Sequence, residues 1–147
     1  MASTPYPAHL NGACSPQLRE EVAFFQQWGY LVVDDALTSE QVDALRTALD
    51  ATFAQSDEQF IHQLLECDEA FAFLLDNPPV FSRMKAILGE CVQLHSATAR
   101  VTLPGEKDQN WHRDVPWPVA PEGTPYGAIP GQINCGYYLD ELSEENG

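Results

Sequence analysis

The sequence predicts an α+β fold in which a run of helices precedes and buttresses an antiparallel sheet or barrel, and three observations carry that prediction. Residues 15–89 place apolar side chains at helical spacing, residues 91–103 alternate with period two, and residues 132–139 form a second short apolar and aromatic run. Helices gathered at one end and strands at the other indicate segregated layers, not alternating βαβ units.

The elements follow in order. Residues 1–14 hold Pro5, Pro7, His9, Asn11 and Gly12 without a basic or an apolar stretch, and read as a disordered leader instead of a signal peptide. Ser15-Pro16 opens a helix, with a hydroxyl at the N-cap and proline at the first helical position, and Gly29 is placed to end it. Its apolar stripe is Leu18, Val22, Phe25 and Trp28. Tyr30–Val33, aromatic and β-branched, is expected as a strand. Thr38 with Gln41 three positions on forms a capping-box pattern ahead of a second helix, whose stripe is Val42, Leu45, Leu49 and Phe53. Phe60 with Leu64 and Leu65, Phe71 with Leu74 and Leu75, and Val80 through Leu88 are expected as further helical pieces, broken at Asn77-Pro78-Pro79 and closed by Gly89. A long strand is expected over residues 91–103, bounded by Pro104-Gly105, and another over residues 132–139. Between them residues 116–131 are dense in proline and glycine, the composition of an irregular loop at a pocket mouth.

With 147 residues the chain has the size of one ordinary domain. Twenty-two acidic against seven basic residues give a formal charge of −15, which repels phosphate backbones and anionic bilayers, so neither nucleic acid nor membrane is an expected partner. Apolar runs are too short to cross a bilayer. The four cysteines, Cys14, Cys67, Cys91 and Cys135, form no C-x-x-C pair. Cys67, Cys91 and Cys135 have apolar neighbours, where a reduced thiol packs as a small hydrophobe, and a reducing, cytoplasmic setting is expected.

The chemistry is concentrated in Asn110-Trp111-His112-Arg113-Asp114-Val115. In an extended strand His112 and Asp114 project from one side and Arg113 from the other. One imidazole and one carboxylate on a common face supply two-thirds of the 2-His-1-carboxylate triad that binds non-haem Fe(II). The competing readings are a solvated turn with an incidental ion pair to Arg113 and, more remotely, a zinc site. Gln109 and Asn110 precede the pair, and Trp111 and Trp117 flank it as candidate walls of a substrate pocket, though aromatics so placed are as often core.

Several stretches together resemble the phytanoyl-CoA dioxygenase family of Fe(II)- and 2-oxoglutarate-dependent oxygenases. They are Phe24-Phe25 with Trp28-Gly29-Tyr30-Leu31-Val32-Val33, then Leu37, Val42 and Leu45, then Pro79 with Leu88-Gly89, then Trp111-His112-Arg113-Asp114, and finally Tyr137-Tyr138-Leu139-Asp140 with Glu145-Asn146-Gly147. The likeness runs from about residue 18 to the last residue. It implies a double-stranded β-helix (jelly-roll or cupin-like), Fe(II) held by His112 and Asp114, 2-oxoglutarate as co-substrate with Tyr137 on the strand that contacts it and Asn134 as a weaker candidate, and O₂ consumed in oxidising a small organic molecule, while Gln109 and Asn110, just upstream of the pair, are candidate hydrogen-bond donors to the co-substrate carboxylate. In such a strand Tyr137 shares a face with Ile133, Cys135 and Leu139, and Asn134 lies opposite with Tyr138. The family pattern continues beyond E-N-G to a distal histidine and a co-substrate arginine. His9, His62 and His95 do not match that histidine, so residues 15–147 are expected to be the N-terminal part of such an oxygenase, with its barrel incomplete. The other reading is a non-catalytic cupin-like fragment or degenerate relative.

Overall fold

The computed structural model describes residues 14–107, 109–112, 114 and 130–145. The expected leader up to residue 13, the proline- and glycine-rich stretch over 116–129 with Trp117, and residues 146–147 of the E-N-G turn lie outside the described residues. The fold is α+β. Among the described residues it comprises helices α1 (Pro16–Trp28), α2 (Ser39–Phe53) and α3 (Pro78–Leu88), two 3₁₀ turns (Leu64–Glu66 and Glu69–Leu75), and one antiparallel pair, β1 (Phe60–Ile61) with β2 (Ala99–Arg100). The chain divides into two compact units: Met1–Asp34, Asn77–Gln93 and His112–Ile133 form the first, and Asp35–Asp76, Leu94–Trp111 and Asn134–Gly147 the second.

Local capping chemistry sets the helices. Ser15 accepts a hydrogen bond from the Leu18 amide at 3.2 Å, and Gly29 ends α1 at φ 79°, a left-handed conformation glycine takes without a Cβ clash. The capping box of α2 is complete: the Gln41 amide donates to Thr38 Oγ1 at 3.3 Å and the Thr38 amide to Gln41 Oε1 at 2.8 Å. Pro78 and Pro79 open α3, where missing amide protons cost least, and Asn77, 4% exposed, precedes them.

In the first unit α1 packs on α3 around Val22, Ala86 and Ile87, with Cys14, Leu18, Phe25 and Ile133 against them. Glu21 and Arg83 pair across this contact at 2.7 Å with about a fifth of each side chain exposed. In the second unit Leu45, Ala48, Leu64 and Phe71 form the core, with Leu37, Ile61, Leu74, Ala97, Ala99 and Leu139 among the residues packed on it. Among the described residues the buried apolar side chains fall into these two clusters.

Several expectations are corrected. Phe60 pairs with Arg100 as a strand and does not belong to a helical piece. Only Ala99–Arg100 of the long run over 91–103 is in a ladder, and Tyr30–Val33 and residues 132–139 are in none among the described residues. Alternation and β-propensity favour extended backbone, but a strand also needs a partner for its amides and carbonyls. Tyr30 and Val32 are exposed, and the chain turns at Asp34-Asp35, with Asp35 at φ 51°. Residues 69–75 wind as 3₁₀, led by Asp68 accepting from the Ala70 amide at 2.8 Å, too tightly for the α-helical spacing expected there. Trp28, at the end of its stripe, is 60% exposed. Cys67, Cys91 and Cys135 are exposed free thiols, not buried packing elements. The described strands form one two-stranded pair.

Candidate metal centre

A turn precedes the His-x-Asp segment in the sequence. Gly105 at φ 80° carries the chain through Pro104-Gly105, and the Glu106 amide donates to the Leu103 carbonyl at 3.1 Å. The Glu106 carboxylate accepts from the Leu103 amide at 3.2 Å with one oxygen and from the Arg100 guanidinium with the other. These hydrogen bonds, the backbone one first, hold the Glu106 carboxyl below its ordinary pKa. The Arg100 guanidinium thus braces this turn.

Beyond the turn Gln109, Asn110 and Trp111 are exposed, Trp111 completely. His112 Nε2 lies 3.3 Å from Asp114 Oδ1, with the side chains 58% and 51% exposed. Asn110, Trp111 and His112 lie in no ladder among the described residues, and Asp114 is at a bend. Two donors bound cis to one ion at about 2.1 Å each stand about 3.0 Å apart, and the observed separation needs only a few tenths of an ångström of adjustment.

No group of three or more His, Cys, Asp or Glu side chains suited to a metal occurs among the described residues. His62 is exposed and its ring lies 4.6 Å from that of Phe60, while His95 Nδ1 is 3.3 Å from Ser96 Oγ. An open hollow of about 440 Å³ in the second unit is lined by Asp43, Thr47, Ala48, Asp68 and neighbours and includes neither member of the pair.

Asn134 is exposed, and Tyr137 is partly buried with its hydroxyl donating to the Leu74 carbonyl at 3.4 Å. Arg46 of α2 donates to the Leu139 carbonyl and to Asp140 Oδ1, the latter at 3.0 Å. Sequence reasoning missed this clamp. An arginine on the polar side of a helix gives no signal of a partner more than ninety positions away.

The family model for phytanoyl-CoA dioxygenase matches residues 25–147. The chain belongs to the phytanoyl-CoA dioxygenase family. Membership makes it a dioxygenase-type oxidoreductase in general terms. No curated protein and no solved structure matches the chain. The match begins within α1 and takes in α2, α3, the β1–β2 pair and the His112–Asp114 segment, so this phytanoyl-CoA dioxygenase relative is described over most of the matched span. No helix among its described residues is long and apolar enough to cross a membrane.

Proposed function

We propose that the protein is an Fe(II)- and 2-oxoglutarate-dependent dioxygenase that hydroxylates or otherwise oxidises a small organic molecule. Family membership supports the class, and the observation that carries the site is the approach of His112 Nε2 to Asp114 Oδ1 at 3.3 Å. In this reading both residues are iron ligands, a neutral imidazole and an ionised carboxylate whose separation fits cis positions on one ion. Gln109 and the segment carrying Asn134 and Tyr137 contact 2-oxoglutarate, and Trp111 and Trp117 wall the substrate. The iron, when bound, supplies O₂ chemistry coupled to decarboxylation of the co-substrate. The chain's own contribution in this reading is to present the two donors together and to offer the exposed Trp111 ring, next to them in sequence, as apolar surface for the substrate. The β1–β2 pair and residues 132–139 are read as parts of a double-stranded β-helix, and the four free thiols support a reducing, cytoplasmic setting.

A second reading, a non-catalytic cupin-like domain, is favoured by the openness of the pair, since an oxidant is usually kept in a dry enclosure. Anaerobic titration with Fe(II) and 2-oxoglutarate separates the two. The oxygenase reading expects a weak visible charge-transfer band that disappears in His112→Ala and Asp114→Ala. A band that survives in both variants, or never forms in the unsubstituted protein, refutes the metal assignment.

A further inference from the structure

The first unit carries a cluster of exposed aromatic rings at the end of α1. Phe24 and Trp28 stand one helical turn apart, with ring centroids separated by 6.4 Å and planes tilted by 43°. Gly29 ends the helix, and the Tyr30 ring that follows meets Phe24 edge to face at 5.3 Å and 83°. This is not the side by which α1 is packed. Val22, buried with Ala86 and Ile87 of α3, lies about 200° round the helix from Phe24. Phe24 is 39% exposed, Trp28 60%, Tyr30 57% and Val32, two positions further on, 70%. The rings shield one another in part and still leave more than half of Trp28 and Tyr30 to water. An unpacked helix face is ordinarily polar, whereas an exposed apolar patch marks an interaction surface, and tryptophan and tyrosine are the residue types that concentrate binding energy there.

The charges beside the rings select the partner. Glu20, exposed, stands one turn before Phe24 on the same row of α1, and Asp34, also exposed, stands two positions after Val32. Arg19, the basic residue of α1, is placed about 140° round the helix from Phe24. Ring faces carry negative quadrupolar potential, so aromatic faces next to carboxylates attract a cation, and a planar guanidinium on an apolar stem can stack on a ring while keeping its charge near an acid. A second copy of the chain would bring the same carboxylates and another formal charge of −15, and an anionic bilayer is repelled in the same way.

We propose that Phe24, Trp28, Tyr30 and Val32, with Glu20 beside them, dock a basic segment of a partner protein whose arginine side chains lie over the rings and whose apolar side chains cover Val32.

The probe is a synthetic peptide alternating leucine and arginine, titrated into the whole chain and followed by NMR at the Trp28 indole N–H, which is assigned by its disappearance in Trp28→Phe. A matching peptide with glutamate in place of arginine is the control. Saturable shifts are expected with the basic peptide and not with the acidic one. Trp28→Ala should weaken binding about ten-fold, as loss of a central aromatic does, and Glu20→Gln about two-fold, more at low salt than at high. Both positions are exposed, and circular dichroism of each variant checks that the fold is kept. Equal shifts with the acidic peptide show apolar contact without charge selection and overturn the proposal. So do absent shifts, and so does binding of the basic peptide that Trp28→Ala and Glu20→Gln leave unchanged, which is attraction to the acidic chain at large. Shifts of the Trp28 signal that appear on concentrating the protein without peptide assign the face to a second copy and overturn it as well.

Discussion

Removing the Glu21–Arg83 pair by halves should cost far more than removing it whole. Glu21 Oε1 accepts from Arg83 Nη2 at 2.7 Å and from Gln17 Nε2 at 3.0 Å, and Arg83 Nη1 donates to the Pro79 carbonyl at 2.5 Å. Glu21 Oε2 and Arg83 Nε are buried with no hydrogen-bond partner. At an effective dielectric near 20 the direct attraction is about 6 kcal/mol, of the same order as the several kcal/mol per ion needed to desolvate the two groups. The pair as a whole therefore contributes little. Arg83→Met alone leaves a carboxylate about four-fifths buried beside one amide, and Glu21→Gln alone leaves the guanidinium without its counter-charge; each should destabilise by about 2–4 kcal/mol. The double replacement Glu21→Leu with Arg83→Met also removes the two unpartnered atoms and should fall within about 1 kcal/mol of the parent. Urea unfolding followed by circular dichroism gives the three differences. If the double variant loses the sum of the single losses, with a coupling below about 0.5 kcal/mol, the two charges act independently and the reasoning fails.

Three further outcomes follow from local chemistry. Thr38→Ala, which deletes the acceptor for the Gln41 amide, should cost about 1 kcal/mol and lower Tm by about 3 °C in a thermal scan. Because the Glu106 pKa is lowered in the folded protein, its contribution to stability should be present above the ordinary carboxylate range and vanish as pH falls through the folded value. Urea midpoints of the parent and Glu106→Gln should accordingly differ at neutral pH and converge in acid. Alkylation of Cys135 by iodoacetamide should show a pH midpoint above that of an ordinary thiol, and Tyr137→Phe should move it higher still, since the Tyr137 hydrogen bond is what lowers it.

The parts of this fold that could be read from the sequence are those decided within a few residues. Ser15, Gly29, Thr38 with Gln41, and Pro78-Pro79 act on their own turn of helix, and each cap stands where the sequence puts it. The nearness of His112 and Asp114 was legible for a similar reason, since the two stand only two positions apart. What escaped depends on partners distant in the chain. Nothing around Phe60 announces a pairing with Arg100, nothing on α2 announces that Arg46 will hold Leu139 and Asp140, and an apolar neighbour in sequence did not mean burial for Cys67 or Cys91. Trp28 continues a helical stripe geometrically, yet the packing against α3 is centred on Val22 and leaves the ring outside.

The β1–β2 ladder has a consequence for how the chain assembles. It joins Phe60 to Arg100, roughly 40 positions along, through two residues on each strand. Closing a loop of that length costs about 3 kcal/mol beyond a constant, more than so short a ladder returns by its own hydrogen bonds. Its formation therefore waits until Ile61 and Ala99 are drawn onto the Leu45–Phe71 cluster, and perturbations at these four positions should speed unfolding while leaving the rate of folding nearly untouched.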